Sequence, residues 1–276
     1  VCRNVHLFYA AGLGGVVMVI IVFFFKLSVI PFHMWAPDVY QGAPTPVTAL
    51  LAMGSKAAGI AVFMRILYTA FPILGNFWLP ILAGFAALCM IGGNIMAIRQ
   101  TDLKRMLAYS SIAQAGYMMV GIVSADLAGM KAVLFYAMLY VFANLGAFAV
   151  ITVLDTERGG TSRKDITGLA QAAPLLAAVM TISLLSMAGI PPTAGFAGKI
   201  YLFTSVVERG YLWLAFVGFV MSMISVYYYL MVAKAMYRDL TPEEAEYAAP
   251  VHVPMTVRAA VLISVIATIG LGVCPE

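Results

Sequence analysis

The chain has 276 residues, 63% of them hydrophobic and 10% charged, with a net charge of +4. A soluble globular domain carries about 25% charged residues, so the composition excludes one and describes a polytopic membrane protein. The positive excess is scattered, with no basic run longer than Lys104-Arg105 or Arg163-Lys164, which excludes a nucleic-acid-binding surface.

A membrane helix needs about 20 mostly apolar residues. Eight segments meet this, at roughly 7–35, 47–70, 77–98, 106–124, 129–154, 173–207, 211–237 and 255–274. The predicted fold is therefore all-α, with about eight transmembrane helices. The first and sixth segments are longer than a span requires, and both contain proline: Pro31 in one, Pro191-Pro192 in the other. Proline removes a backbone donor and clashes with the preceding turn. Broken backbone at membrane depth is tolerated only inside protein or beside a water-filled cavity. Two broken helices point to a transport path.

The connections are short. Pro37 to Pro46 reads as a polar turn, Arg99 to Arg105 as a loop, and Asp155 to Gln171 as a polar turn with glycines. Thr241-Pro242-Glu243-Glu244 has the form of a capping box with proline at the first helical position, which predicts a short surface helix. One set of span ends collects Arg99, Lys104, Arg105, Arg158, Arg163, Lys164, Arg238 and Arg258. The opposite set has Arg3, Arg65, Lys131 and Arg209. The richer side is assigned to the cytoplasm, and both chain ends then face outward. The chain starts at Val1 without a signal peptide and stops at Cys274-Pro275-Glu276, directly after an apolar run. It reads as part of a longer protein.

The acids and the lysines are distributed differently. All twelve acids fall at the edge of a span or in a connection, whereas Lys26, Lys56 and Lys199 fall near mid-span. An ionisable residue inside the membrane is by default a functional candidate. Lys56 lies ten residues into its span, about 15 Å deep at 1.5 Å per residue, too deep to snorkel easily. Lys26 sits at the end of a half-helix, where helix capping is the competing role. Lys234 is one turn from the cytoplasmic edge and fits snorkelling.

Burial disfavours the charged form of an amine, and lysine, unlike arginine, can release its proton. A buried lysine can therefore hold and pass a proton. His33, Ser28, Tyr109, Ser110, Ser111, Gln114 and Tyr117 are the side chains that could extend such a path. His33 serves equally well as a core hydrogen-bonding group. Tyr227-Tyr228-Tyr229 and the 18 methionines read as packing and interface residues.

Other chemistry is not signalled. Gly12-Leu13-Gly14-Gly15 begins a dinucleotide-loop pattern, but Val17 stands where the third glycine belongs, and the run is apolar helix. Cys2, Cys89 and Cys274 stand apart with no C-x-x-C pair, so no zinc or iron–sulfur ligand set is present. The chain has no visible site for NADH, flavin or a metal.

Four stretches carry a family resemblance: FKLSVIPFHMWAPDVYQGAPTPVTALLA with Ser55-Lys56, TDLKRMLAYSSIAQAGY from Thr101, MAGIPPTAGFAGKIYLF from Met187, and VYYYLMVAKAMY from Val226. The chain resembles the subunit N family of bacterial type I NADH dehydrogenase, respiratory complex I. These are antiporter-like membrane subunits built from two inverted five-helix repeats. The resemblance implies a C-terminal part of such a subunit. Residues 1–70 would end the first repeat, 77–237 form the second, and 255–274 the final helix.

It also implies proton translocation through a chain of charged residues at mid-membrane, with Lys26, Lys56 and Lys199 at the family's lysine positions. NADH, FMN, iron–sulfur clusters and quinone would belong to partner subunits, with no cofactor in this chain. The expected surroundings are other membrane subunits and the lipid of a bacterial inner membrane, with no nucleic acid. Two positions depart from the pattern: the glutamate that pairs with the first lysine is not in this chain, and Gln114 stands where many relatives have histidine. The alternative is a subunit of a multisubunit cation/proton antiporter, which shares the fold and the lysines. A purely structural scaffold is the third reading, and it gains nothing from acid-free lysines at mid-span.

Overall fold

The computed structural model describes residues 2–240 and 253–273. They form helices and their connections. Six continuous helical stretches are long and apolar enough to cross a membrane: Thr45–Ala70, Pro72–Ile98, Leu103–Val123, Leu127–Arg158, Leu212–Met236 and Met255–Val273. Two further crossings are split. The first is α1 (Cys2–Leu27) followed by α2 (Trp35–Gly42). The second comes later, as Pro174–Ala188 followed by Ala194–Glu208. The expectation of about eight crossings, two of them broken at prolines, is met. The capping box at Thr241-Pro242-Glu243-Glu244 lies outside the described residues.

The first break spans residues 28–34, with Ser28 in the left-handed region at φ 59°. The expected polar turn after it is mostly helix. Pro37 is the third residue of α2, and in the first turn its missing N–H has no intrahelical acceptor to lose. Only Ala43 and Pro44 are extended before α3 (Thr45–Leu50). A single wide turn of π-helix, Leu51–Ser55, then joins α3 to α4 (Lys56–Ala70). Such turns recur at functional sites, and this one ends directly before Lys56.

Next come α5 (Gly75–Ile98), α6 (Leu103–Val123) and α7 (Leu127–Arg158). Asp102 and Asp126 start α6 and α7 by accepting the backbone N–H of Arg105 and Gly129, at 2.8 and 2.6 Å. Gly159, at φ 68°, ends α7. Asp155 therefore lies in the last turn of α7 and not in a loop. The short α8 (Leu169–Ala172) leads into α9 (Pro174–Ala188). The second break follows at residues 189–193, then α10 (Ala194–Glu208), α11 (Leu212–Met236) and α12 (Met255–Val273).

Helix α6 is the axis of the bundle, with nearly every residue buried. It packs most extensively on α5 and also contacts α2, α7 and α10. The α5–α6 approach depends on small residues, as membrane helix contacts often do. A Cβ at Gly93 would stand 2.7 Å from Ala113 N, and one at Gly116 would stand 2.9 Å from Ala86 O. The outside of the bundle is apolar: Met18, Phe25, Leu50, Phe216 and Ile266 are all exposed. Tyr227 and Lys234 are also exposed.

Among the described residues, two ion pairs hold one end of the bundle. Arg105 meets Asp38 at 2.8 Å and Gln41 at 2.9 Å, in the open. Lys104 is buried, lies 3.7 Å from Asp155, and donates to Ala43 O at 3.2 Å. Thr45 donates to the same carboxylate at 2.5 Å. Double-mutant cycles on the purified assembly should separate these pairs. The Asp38–Arg105 coupling should fall below about 1 kcal/mol. Asp155→Asn should cost about 1–3 kcal/mol, because it weakens a buried group's partner set. Equal couplings for the two pairs would refute this ranking.

Candidate functional site

Lys56 and Lys199 are 3% and 4% exposed. Each meets backbone carbonyls and a serine, with no carboxylate within 4 Å among the described residues. Lys56 is the first residue after the wide turn, so its side chain reaches inward to α6. Its Nζ donates to Ser111 O at 2.8 Å and Ser111 Oγ at 2.7 Å. Ser111 Oγ in turn donates to Ala108 O at 2.6 Å.

Lys199 extends from the second turn of α10 back across the break. Its Nζ donates to Met187 O at 3.0 Å, Ala188 O at 2.8 Å and Ser222 Oγ at 2.6 Å. Ser222 Oγ donates to Ala188 O at 2.9 Å. The ammonium thus covers carbonyls that the end of α9 leaves without helical partners, where a cation is also favoured by the helix dipole. It lies 4.6 Å from the centroid of the Tyr117 ring as well.

Both sites share one unit, in which lysine donates to a serine hydroxyl and that hydroxyl donates to a helix carbonyl. This unit can hold either protonation state. A neutral amine has a lone pair, and the serine can turn its proton from the carbonyl onto it. Ser222 was invisible to sequence reading, because it lies 23 residues from Lys199 and only the fold joins them.

Between the two lysines, α6 presents polar side chains. Gln114 Nε2 donates to Met187 O at 3.1 Å, the carbonyl that Lys199 also uses. Tyr136 donates to Gln114 Oε1. Tyr229 pairs with Ser110 and lies 3.5 Å from Gln114 Nε2. Tyr228 donates to Asn94 Oδ1 at 2.9 Å, and Asn94 reaches the Tyr117 hydroxyl at 3.5 Å. Tyr228 and Tyr229 are therefore members of a buried polar network, against the expectation of packing and interface roles. Ser111 and Gln114 are three residues apart, about 4.5 Å along the helix axis. The two lysines thus sit at nearly one level, near the middle of α6. A chain through them runs sideways across the bundle.

From Ser110 to Lys199 the polar groups follow one another without a gap. Between Ser110 and Ser111 the path must turn around α6, and no direct hydrogen bond joins the two halves among the described residues. Among the described residues the Tyr140 hydroxyl is buried without a hydrogen-bond partner.

The other candidates are placed differently. Lys26 is exposed at the end of α1, its stem running past Gly59 of α4. It has no hydrogen bond to Lys56, Lys199 or their serines. His33 is buried in the first break, with Nδ1 3.3 Å from Pro31 O, and has no hydrogen bond to the three lysines among the described residues. Ser28 is buried there with its hydroxyl unpartnered. Tyr109 is half-buried and outside the network. Lys104, used in the sequence only for topology, is a buried cation in its own right.

Gly189 sets the position of Lys199. Its φ is 83°, and a Cβ there would stand 2.8 Å from Lys199 Cδ. Gly189→Ala should therefore lower thermal stability by about 1–3 kcal/mol through backbone strain and displace the amine from Met187 O. A variant that melts as the parent does would refute this placement.

Residues 6–225 match the family described as NADH:quinone oxidoreductase/Mrp antiporter, TM. The chain is 53% identical over 262 residues to NADH-quinone oxidoreductase subunit N of Heliobacterium modesticaldum, covering 95% of this chain and 55% of the relative. It is 54% identical over 261 residues to the subunit N of Desulforamulus reducens, with 95% and 54% covered. Among solved structures, respiratory complex I from Thermus thermophilus with bound aureothin contains a chain 34% identical, with TM-score 0.78 over 92% of this chain and 55% of that one. The Mrp complex from a Dietzia species contains one 22% identical, with TM-score 0.81 over 91% and 54%, which shows the shared fold alone. The chain spans about half the length of the curated relatives it matches.

Proposed function

Because this chain belongs to the NADH:quinone oxidoreductase/Mrp antiporter transmembrane family, we propose that it carries protons through buried lysines as a membrane subunit of NADH:quinone oxidoreductase. The observation that carries this reading is the pair of lysine–serine–carbonyl units at one level of α6, with Ser110, Tyr229 and Gln114 forming a polar run from α6 to Lys199. Lys56 and Lys199 hold the proton in turn. Serine, tyrosine and glutamine side chains pass it on or orient it without holding charge themselves. Lys26 belongs to the same relay at its exposed end, where another segment or subunit supplies its partner. His33 is assigned to the first break as a local hydrogen-bonding group.

In this reading NADH, FMN, iron–sulfur clusters and quinone are held by partner subunits, and electron transfer drives the relay from there. The assembly lies in a bacterial cell membrane, beside other membrane subunits. The identity of about 50% to chains named subunit N favours this over the antiporter alternative.

The experiment that separates the two is purification of the assembly that contains this chain. Flavin and iron–sulfur absorption, together with proton uptake into vesicles driven by NADH and a quinone, is the expected result. An assembly with neither chromophore that exchanges Na⁺ for protons would replace this reading with the antiporter one.

A further inference from the structure

The polar groups between Lys56 and Lys199 leave a gap where they pass around α6, between Ser111 and Ser110. Helix register brings one more hydroxyl to that level. Only residues 124–126 join α6 to α7, and the two helices run antiparallel in contact. Tyr136 of α7 donates to Gln114 of α6, which sets their register. The same register holds nearer the connection, where a Cβ on Gly121 would stand 2.6 Å from Val133 Cγ2. Tyr140 follows Tyr136 by about one turn on the same face of α7. Ser110 and Ser111 precede Gln114 by about one turn on α6. Tyr140 therefore stands opposite the gap.

The Tyr140 side chain is buried, and among the described residues its hydroxyl has no hydrogen-bond partner. Ser111, which receives Lys56, lies near enough to act on that hydroxyl, and so does Tyr229, which approaches Gln114. A buried hydroxyl without a partner is costly. Beside the ring is a cavity of about 10 Å³, lined by Tyr136, Tyr140, Ser186 and Met187 among others. That is room for about one water molecule.

We propose that the Tyr140 hydroxyl, with one water molecule bound beside it, joins the two halves of the relay between Ser111 and Tyr229. The proposal rests on the lysine relay proposed above and adds the residue that completes it. Each oxygen along the bridge gives one proton forward as it takes one from behind. Only O–H bonds form and break, and Tyr140 and the water are neutral before and after. The net change is one proton moved from the ammonium of one lysine to the neutral amine of the other.

The test is Tyr140→Phe in the intact complex, measured beside Lys56→Met, with Tyr109→Phe as a control outside the network. The readout is acidification of membrane vesicles on NADH addition, normalised to complex content. Tyr140→Phe should pump about 100-fold more slowly, the low end for loss of a positioned proton-transfer group. Its melting temperature should stay parental, because the ring is kept and the lost hydroxyl bonds no described protein group. Its residual pumping should be slowed more by heavy water than the parent's is, since crossing the gap becomes the slow step. Tyr109→Phe should change nothing. Parental pumping by Tyr140→Phe while Lys56→Met fails would overturn the bridge and leave the lysine relay standing. Parental pumping by both would remove the relay itself, and the bridge with it. A lowered melting temperature with an unchanged isotope ratio would make Tyr140 a packing residue and also overturn the proposal.

Discussion

Lys56→Met is expected to reduce NADH-driven proton pumping by about 100-fold or more, the range seen when a positioned proton-transfer group is removed. The replacement keeps an unbranched stem as far as Cε, with sulfur in place of one methylene, and removes the amine. Assembly should survive, because the partner groups do not depend on the lysine. Ser111 Oγ keeps its 2.6 Å bond to Ala108 O, and Ser111 O remains in the α6 backbone. Removing a buried cation together with its desolvation cost is often neutral or stabilising. Lys56→Ala should lose pumping equally and assemble less well, since it also leaves a cavity in a closely packed region. The measurement is acidification of membrane vesicles on NADH addition, normalised to complex content by NADH oxidation with an artificial acceptor. If Lys56→Met vesicles acidify at the parental rate, the lysine is structural and the relay is wrong.

Lys199→Arg should be nearly as damaging to pumping as Lys199→Ala. Arginine retains the charge and five donors, so it can still serve Met187 O, Ala188 O and Ser222 Oγ and keep the end of α9 covered. What it cannot do is release a proton, since a guanidinium stays protonated inside proteins. Stability and pumping should therefore part: Lys199→Arg assembles like the parent and fails to pump, while Lys199→Ala leaves those carbonyls uncovered and fails at both. Lys199→Glu is expected to fail too, because an anion would face two carbonyl oxygens at the negative end of α9. Normal pumping by Lys199→Arg would mean that the position needs only a fixed positive charge, and Lys199 would then be a helix cap.

The chemistry at risk in these variants was partly legible in the sequence. Apolar run length identified the membrane crossings, because lipid leaves the backbone few alternatives to helix. Prolines located the two breaks for an equally local reason, since a missing N–H and a ring clash act within one turn. Depth within a run singled out Lys56 and Lys199, both of which are buried. Lys26 satisfied the same pattern and is exposed, because position along a helix says nothing about which face packs against a neighbour. Pro37 misled in the other direction: it suggests a turn by residue type, yet its place in the first turn of α2 is compatible with helix.

Partner choice was decided by tertiary structure alone. Ser111 lies 55 residues from Lys56, Ser222 lies 23 from Lys199, and Tyr229 lies 119 from Ser110. The pairs of Ser110 and Ser111 exist because α6 is central, and glycines at 93 and 116 let α5 close against it; Lys199 meets Ser222 because α10 packs on α11. The wide turn before Lys56 also escaped the sequence, since LAMGS is an ordinary apolar helix segment until packing against α3, α4 and α7 fixes it. What the amino-acid sequence by itself determined is therefore the set of membrane helices, their breaks and the depth of the buried amines. These follow from local backbone chemistry and transfer into lipid. The fold decided which carbonyls and hydroxyls each amine meets, because hydrogen bonds across 20 to 120 residues exist only once helices have packed.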